Sequence, residues 1–174
     1  MSRISYDLTK IRAAVFDVDG VLSPSTIPMG PDGVPTRMAN IKDGYALQLA
    51  VRAGLKIAII TGANTLNLIT RYATLGVTDV FLKASEKLPV LQQWLEDNHL
   101  SINQVAYVGD DIPDIPCMRH CSLSVAPADA APEVKAVATY ISPVNGGYGV
   151  ARDLLEQILK AQGHWLSEAL AFGW

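Results

Sequence analysis

Short apolar runs opening onto polar, glycine-bearing turns alternate along the chain with longer stretches of helical period. Ala13–Phe16, Lys56–Ile60, Val80–Leu82, Val105–Val108, Ser122–Val125 and Thr139–Ile141 read as strands. They are short, rich in β-branched residues and mostly apolar throughout, as strands covered on both faces are. Between them lie predicted helices at Asp43–Arg52, ending at Ala53-Gly54; Leu66–Leu75, closed by Gly76; Glu86–Asp97; a short helical segment at Ile112–Arg119; and Val150–Gln162. Ser85 is the expected cap of the third, and Pro89 is tolerable in its first turn. Strands that alternate with helices imply a parallel sheet with helices on both faces, a three-layer Rossmann-like α/β fold.

Ser23–Ile41 breaks the alternation. It carries Pro24, Pro28, Pro31 and Pro35 with Gly30 and Gly33, and Pro31-Asp32-Gly33 is a turn signal between two extended arms. The expectation is a small β-hairpin inserted after the first strand, too short to be a cap domain. A projecting hairpin exposes strand edges, which association with other subunits can cover.

The 174 residues suit one domain spanning 1–174, and 49% hydrophobic content is enough for a full core. A formal net charge of −3 gives no nucleic-acid footprint. No stretch is long and apolar enough for a membrane span, and Met1–Asp7 does not resemble a signal peptide, so a cytoplasmic location is expected. Cys117 and Cys121 lack nearby ligands for zinc and read as buried thiols. His99, His120 and His164 are scattered.

Candidate chemistry gathers where strands end. Asp17 and Asp19 follow the first strand one residue apart, with Gly20 beginning a turn. Paired carboxylates there can hold a divalent cation or divide the work of nucleophile and acid/base. Thr61-Gly62 follows the second strand, where a hydroxyl and exposed N–H groups can hold phosphate oxygens. Lys87 stands at a helix start, where ammonium and dipole together favour an anion. Gly109-Asp110-Asp111 and Asp114 follow the fourth strand and suit a hard cation. Each signal alone has a plain structural reading as a turn residue, helix cap or solvated charge. Four of them in order, each at a strand-to-helix transition, point to a phosphoryl-handling site.

The order Asp17-x-Asp19-Gly20-Val21, Thr61-Gly62, Lys87, Gly109-Asp110-Asp111-x-x-Asp114 resembles the haloacid dehalogenase superfamily of phosphohydrolases. Asp43-Gly44-Tyr45, the uncapped layout and Gly146-Gly147-x-Gly149 followed by Arg152 are similar to its phosphatases of keto-sugar-acid phosphates. The resemblance covers nearly the whole chain. It implies a Mg²⁺-dependent hydrolase in which Asp17 is the nucleophile and forms an aspartyl-phosphate, and Asp19 is the acid/base. Mg²⁺ would be held by Asp17, the Asp19 carbonyl and Asp110. Thr61, Gly62 and Lys87 would bind the phosphoryl oxygens, and Asp111 and Asp114 would support them. The implied substrate is 3-deoxy-D-manno-octulosonate 8-phosphate, in lipopolysaccharide precursor synthesis. The implied assembly is a homotetramer to which hairpins and the tail 164–174, with Trp165, Phe172 and Trp174, contribute.

Two departures bear on the substrate. Ala63-Asn64 and Tyr148 stand where many relatives carry arginine, which leaves a nine-carbon keto-deoxy sugar acid 9-phosphate of sialic-acid type as the alternative. A reading from another class, a phospho-acceptor regulator similar to a receiver domain, does not account for Asp19, because such an acceptor needs no general acid two residues later. A catalytically inactive binding protein does not account for every catalytic position being filled.

Overall fold

Ala13–Phe16 is apolar at all four positions and forms the central strand, β1, buried on both faces. Around it the computed structural model, which describes residues 2–173, arranges α1 (Ile41–Arg52), β2 (Lys56–Ile60), α2 (Asn67–Ala73), β3 (Asp79–Phe81), α3 (Lys87–Asp97), β4 (Val105–Val108), α4 (Ile115–His120), β5 (Leu123–Ala126), α5 (Pro132–Val137), β6 (Tyr140–Ile141) and α6 (Val150–Ala161). All strand pairings are parallel and the sheet order is β3-β2-β1-β4-β5-β6.

The period-2 alternation of a strand divides the core in two. Ala14 and Phe16, with Ile57, Ile59, Ala106 and Val108, face α1, α2 and α6. Ala13 and Val15, with Ala58, Ile60, Val105 and Tyr107, face α3, α4 and α5. Helices on both faces explain why the strands read as continuous apolar runs. Cys117 and Cys121 are buried free thiols. Among the described residues, no helix is long and apolar enough to cross a membrane.

Predicted and observed elements differ mainly at their ends. α1 starts two residues early because the Asn40 side chain accepts from the N–H groups of Lys42 and Asp43. Ser85 does not cap α3; Glu86 holds that position, with no side-chain bond to the helix. The segment 112–119 is a 3-10 turn over Ile112–Asp114 leading into α4. α5, six residues long with Pro132 in its first turn, is too short to show a period and was not foreseen. The 23–41 insertion contains a minimal hairpin. Met29 and Pro35 form one antiparallel bridge, and Gly30 N–H donates to the Val34 carbonyl at 2.8 Å.

The C-terminal segment lies on its own chain. The Arg152 guanidinium sits 4.3 Å from the Trp165 ring centroid and 5.5 Å from that of Tyr45, and the Tyr45 hydroxyl donates to the Ala171 carbonyl at 2.6 Å. The segment expected to make subunit contacts packs through Trp165 on α1 and α6 of its own chain and leaves Phe172 exposed. Trp174 lies outside the described residues.

Candidate active site

Chain order places the site. β1 connects through α1 to β2 on one side, and the chain later crosses to β4 on the other, so the crevice beyond the carboxyl ends of β1 and β4 is the topological switch point. The register is level there, with Phe16 opposite both Ile59 and Val108. The residues that follow these strands therefore meet. A cavity of about 390 Å³ at this edge is lined by Asp17, Asp19, Thr61, Gly62, Lys87, Asp110, Asp111 and Asp114, the full set foreseen from sequence.

Lys87 is the electrostatic centre. It is buried, and its Nζ lies 2.8 Å from Asp17 Oδ2 and 2.7 Å from Asp114 Oδ1. Burial acts to lower its pKa, but the two carboxylates outweigh that and hold it above the ordinary lysine value. Asp114 is fixed on all sides. Its Oδ1 also accepts from the Tyr107 hydroxyl at 2.8 Å, and its Oδ2 from the Asp110 N–H at 3.1 Å. Asp17 Oδ1 accepts from the Val18 N–H at 2.7 Å.

Carboxylate oxygens of Asp17, Asp110 and Asp114 lie within 4.8 Å of one another. Burial, then repulsion from Asp114, raises Asp17 to about 6 despite Lys87. Burial, Asp114 and Asp17 raise Asp110 to about 7. Three clustered carboxylates facing a single ammonium suit a hard divalent cation, which would relieve their repulsion and take oxygen ligands.

Thr61 is buried, and its Oγ1 accepts from the Ala63 N–H at 3.1 Å, leaving its own proton available to an oxyanion. It is not a helix cap, since α2 begins at Asn67. Asp111 lines the cavity, but its carboxylate accepts from its neighbour, the Ile112 N–H, at 2.8 Å. Asp17 and Asp19 share the cavity but not partners. Asp19 turns to Arg37 of the insertion, with Nε donating to Oδ1 and a terminal guanidinium nitrogen to Oδ2, both at 2.7 Å.

Gly20 is demanded twice. Its φ of +82° is the left-handed region, and a Cβ there would overlap the Asp110 carboxylate. Gly146 packs so closely on the Gly20 carbonyl that a Cβ would collide with it, and the Gly147 N–H donates to the Val21 carbonyl at 2.8 Å. The glycine-rich tail thus braces the loop that carries Asp19, and Tyr148 beside it is exposed.

A model of the haloacid dehalogenase-like hydrolases matches residues 60–154. Over 153 residues, 88% of this chain and 81% of the relative, the sequence is 40% identical to the 3-deoxy-D-manno-octulosonate 8-phosphate phosphatase of Escherichia coli K12. The chain belongs to the haloacid dehalogenase-like hydrolases. It is a phosphatase of that family. The crystal structure of the Yersinia pestis 3-deoxy-D-manno-octulosonate 8-phosphate phosphatase superposes with a TM-score of 0.87 at 37% identity, covering 91% of this chain and 85% of that one. The Moraxella catarrhalis phosphatase of the same name, in complex with magnesium ion, phosphate ion and a KDO molecule, gives 0.86 at 30% identity and 90% of each chain.

Sequence reasoning did not find Arg37, Tyr107 or Ser25, which also lines the cavity. Arg37 and Ser25 belong to an irregular insertion whose path has no local signal. Tyr107 looked like one more apolar strand residue.

Proposed function

We propose that residues 1–174 form one phosphatase domain that releases phosphate from 3-deoxy-D-manno-octulosonate 8-phosphate, with Mg²⁺ as cofactor. The observation that carries this reading is the convergence of Asp17, Lys87, Thr61 and Asp110 in one cavity at the switch point, in a chain 40% identical to a phosphatase of that substrate. Asp17, the Asp19 carbonyl and Asp110 would hold the ion. When bound, it neutralises carboxylate and phosphate charge so that two anions can approach.

Asp17 attacks phosphorus. Its carboxylate oxygen forms the new P–O bond as the bond to the sugar oxygen breaks, and Asp19 gives that oxygen a proton. Thr61, the N–H groups around Gly62 and Lys87 receive the equatorial oxygens. In the second step Asp19 takes a proton from water, the water oxygen bonds to phosphorus, and Asp17 is released. Asp114 holds Lys87, and Asp111 orders the turn beside it.

Exposed apolar residues on the insertion and neighbouring helices, Met29, Val34, Met38, Ile41, Leu66 and Ile69, support self-association as a homotetramer in which a neighbour borders the uncapped site. On this reading the enzyme acts in the cytoplasm, in lipopolysaccharide precursor synthesis.

With Ala63 at the cavity wall and Tyr148 exposed, no arginine stands at either place, and a nine-carbon keto-deoxy sugar acid 9-phosphate of sialic-acid type is the second reading. Phosphate release measured over eight- and nine-carbon keto-acid phosphates decides between them. The highest kcat/KM is expected for the eight-carbon substrate. A preference for nine carbons overturns the substrate, and no release from any phosphomonoester overturns the activity.

A further inference from the structure

Arg37 lies in the insertion shortly before α1, with its side chain only 11% exposed. Its fork engages both oxygens of Asp19, and its remaining terminal nitrogen donates to Thr65 Oγ1 at 3.2 Å. A bidentate arginine–carboxylate pair is among the stronger polar contacts a protein makes. Yet proton delivery to the sugar oxygen requires one Asp19 oxygen to carry a proton and face the leaving group. An oxygen that carries a proton accepts a hydrogen bond more weakly than a carboxylate oxygen does, so protonating Asp19 loosens the fork on that oxygen in every turnover.

A guanidinium that gives up a carboxylate in a poorly hydrated place needs another anion of similar shape. Space for one lies beside it. A cavity of about 420 Å³ between the insertion and α2 is lined by Arg37, Arg71, Thr65, Asn67 and Tyr72, with Asp32 as its one acidic residue. Val18 lines this second cavity, while its neighbours Asp17 and Asp19 line the first. The two spaces flank the loop after β1, and Arg37, which lines the second, holds Asp19, which lines the first. The proposed substrate carries two anions, a phosphate and a carboxylate.

We infer that Arg37 determines specificity by exchanging the Asp19 carboxylate for the substrate's own carboxylate, docking the acid end of the sugar in the second cavity and freeing Asp19 to face the leaving oxygen. The proton that moves is the one on Asp19, passed to the sugar oxygen as the P–O bond breaks; the guanidinium keeps all of its protons. A phosphomonoester without a carboxylate leaves the fork closed and is turned over poorly. The inference rests on the sugar-acid phosphatase reading and on Asp19 as proton donor. It also gives the insertion a chemical role.

The test compares the full-length wild type, Arg37→Ala and Arg37→Lys on three probes: an eight-carbon keto-sugar-acid phosphate, a neutral hexose 6-phosphate, and 4-nitrophenyl phosphate, whose leaving group needs no acid. Thermal melts establish that each protein is folded. The wild type should prefer the acid sugar over the hexose phosphate. In Arg37→Ala the ratio of kcat/KM between those two should fall at least about tenfold, chiefly through KM for the acid sugar, as loss of a charged hydrogen bond implies. Arg37→Lys, which keeps the charge and loses the fork, should recover part of the ratio. An equal loss on all three probes, or an unchanged ratio in both variants, overturns the inference. A wild type that releases no phosphate from any probe overturns instead the phosphatase reading beneath it.

Discussion

Both oxygens of Asp114 are engaged by protein donors: Lys87 and Tyr107 on one, the Asp110 N–H on the other. That leaves it little capacity for an ion and makes it the anchor of Lys87. Asp17 meets one donor on each oxygen and faces the cavity, as a nucleophile must. Asp17→Asn should lower phosphate release by at least about a thousandfold while the protein melts like the wild type, since an amide neither attacks phosphorus nor binds a cation well. Near-normal turnover in a folded variant would remove the covalent step. Asp17 and Asp110 also predict how metal binding follows pH. With pKa values raised to about 6 and about 7, both carry protons more readily than free carboxylates, and a cation must displace those protons. Mg²⁺ affinity should therefore rise with pH between about 5 and 8, with proton release on binding near pH 6. Calorimetry in buffers of different ionisation heat measures both, and a pH-independent affinity would exclude this pair as ligands.

Strands were the most legible elements, because apolar runs ending in Asp, Thr-Gly or Gly-Asp carry two consistent signals, burial along the run and a polar turn at its end. The ranges 13–16, 56–60 and 105–108 agree with the structure residue for residue. Seven of the eight candidate residues that line the cavity were legible for the same reason, that a parallel sheet brings its strand ends together whatever the helices do, and Lys87 was legible as a cation at a helix start. Arg37 was not legible, since its reach to Asp19 is set by the fold of the insertion. Nor was the structural use of Gly146, which follows from a backbone contact more than a hundred residues distant in sequence. At Gly20 the loop after β1 tests this geometry. Gly20→Ala combines an unfavourable φ with overlap on the Asp110 carboxylate, so it should abolish measurable Mg²⁺ binding as well as activity. Retained metal affinity would contradict the contact. Between α1 and α6, Asp43 accepts from the Arg152 N–H at 2.6 Å, while its other oxygen has no partner among the described residues. Burial raises its pKa from 3.8 to about 6, opposed by the Arg152 hydrogen bond and charge. The folded state thus holds this proton more tightly than the unfolded chain. Its contribution is present below about pH 4 and is lost as pH rises to about 6, a change of order 3 kcal/mol. Asp43→Asn keeps the acceptor and removes the titration. Its melting temperature should gain on that of the wild type from pH 4 to 6 and run parallel above; a constant difference would place the titrating proton elsewhere.

At the scale of the whole molecule, the edge that carries the site is kept apart from the segment that closes the chain. Tyr45 and Arg152, on α1 and α6, receive Trp165 on their rings and charge, Tyr45 reaches the Ala171 carbonyl, and Arg52 reaches the Gly173 carbonyl at 3.1 Å. None of these residues lines the catalytic cavity. Ending the chain after Gly163 removes a cation–π contact, an aromatic edge contact, two side-chain hydrogen bonds and the backbone bonds of His164 and Trp165 to the Leu159 carbonyl, and uncovers the α1–α6 face. Together these are worth roughly 2–4 kcal/mol. In a chain of this size that corresponds to a fall in melting temperature of about 5–15 °C. Below the new melting point the two cavities are intact, so the ratio of kcat/KM between a sugar-acid phosphate and an aryl phosphate should stay within about twofold of the full-length value. Loss of that ratio with little change in melting would mean that the tail reaches a neighbouring subunit's site. Loss of both would mean that the α1–α6 brace also sets the position of the loop after β1, through α6 and the glycines that precede it.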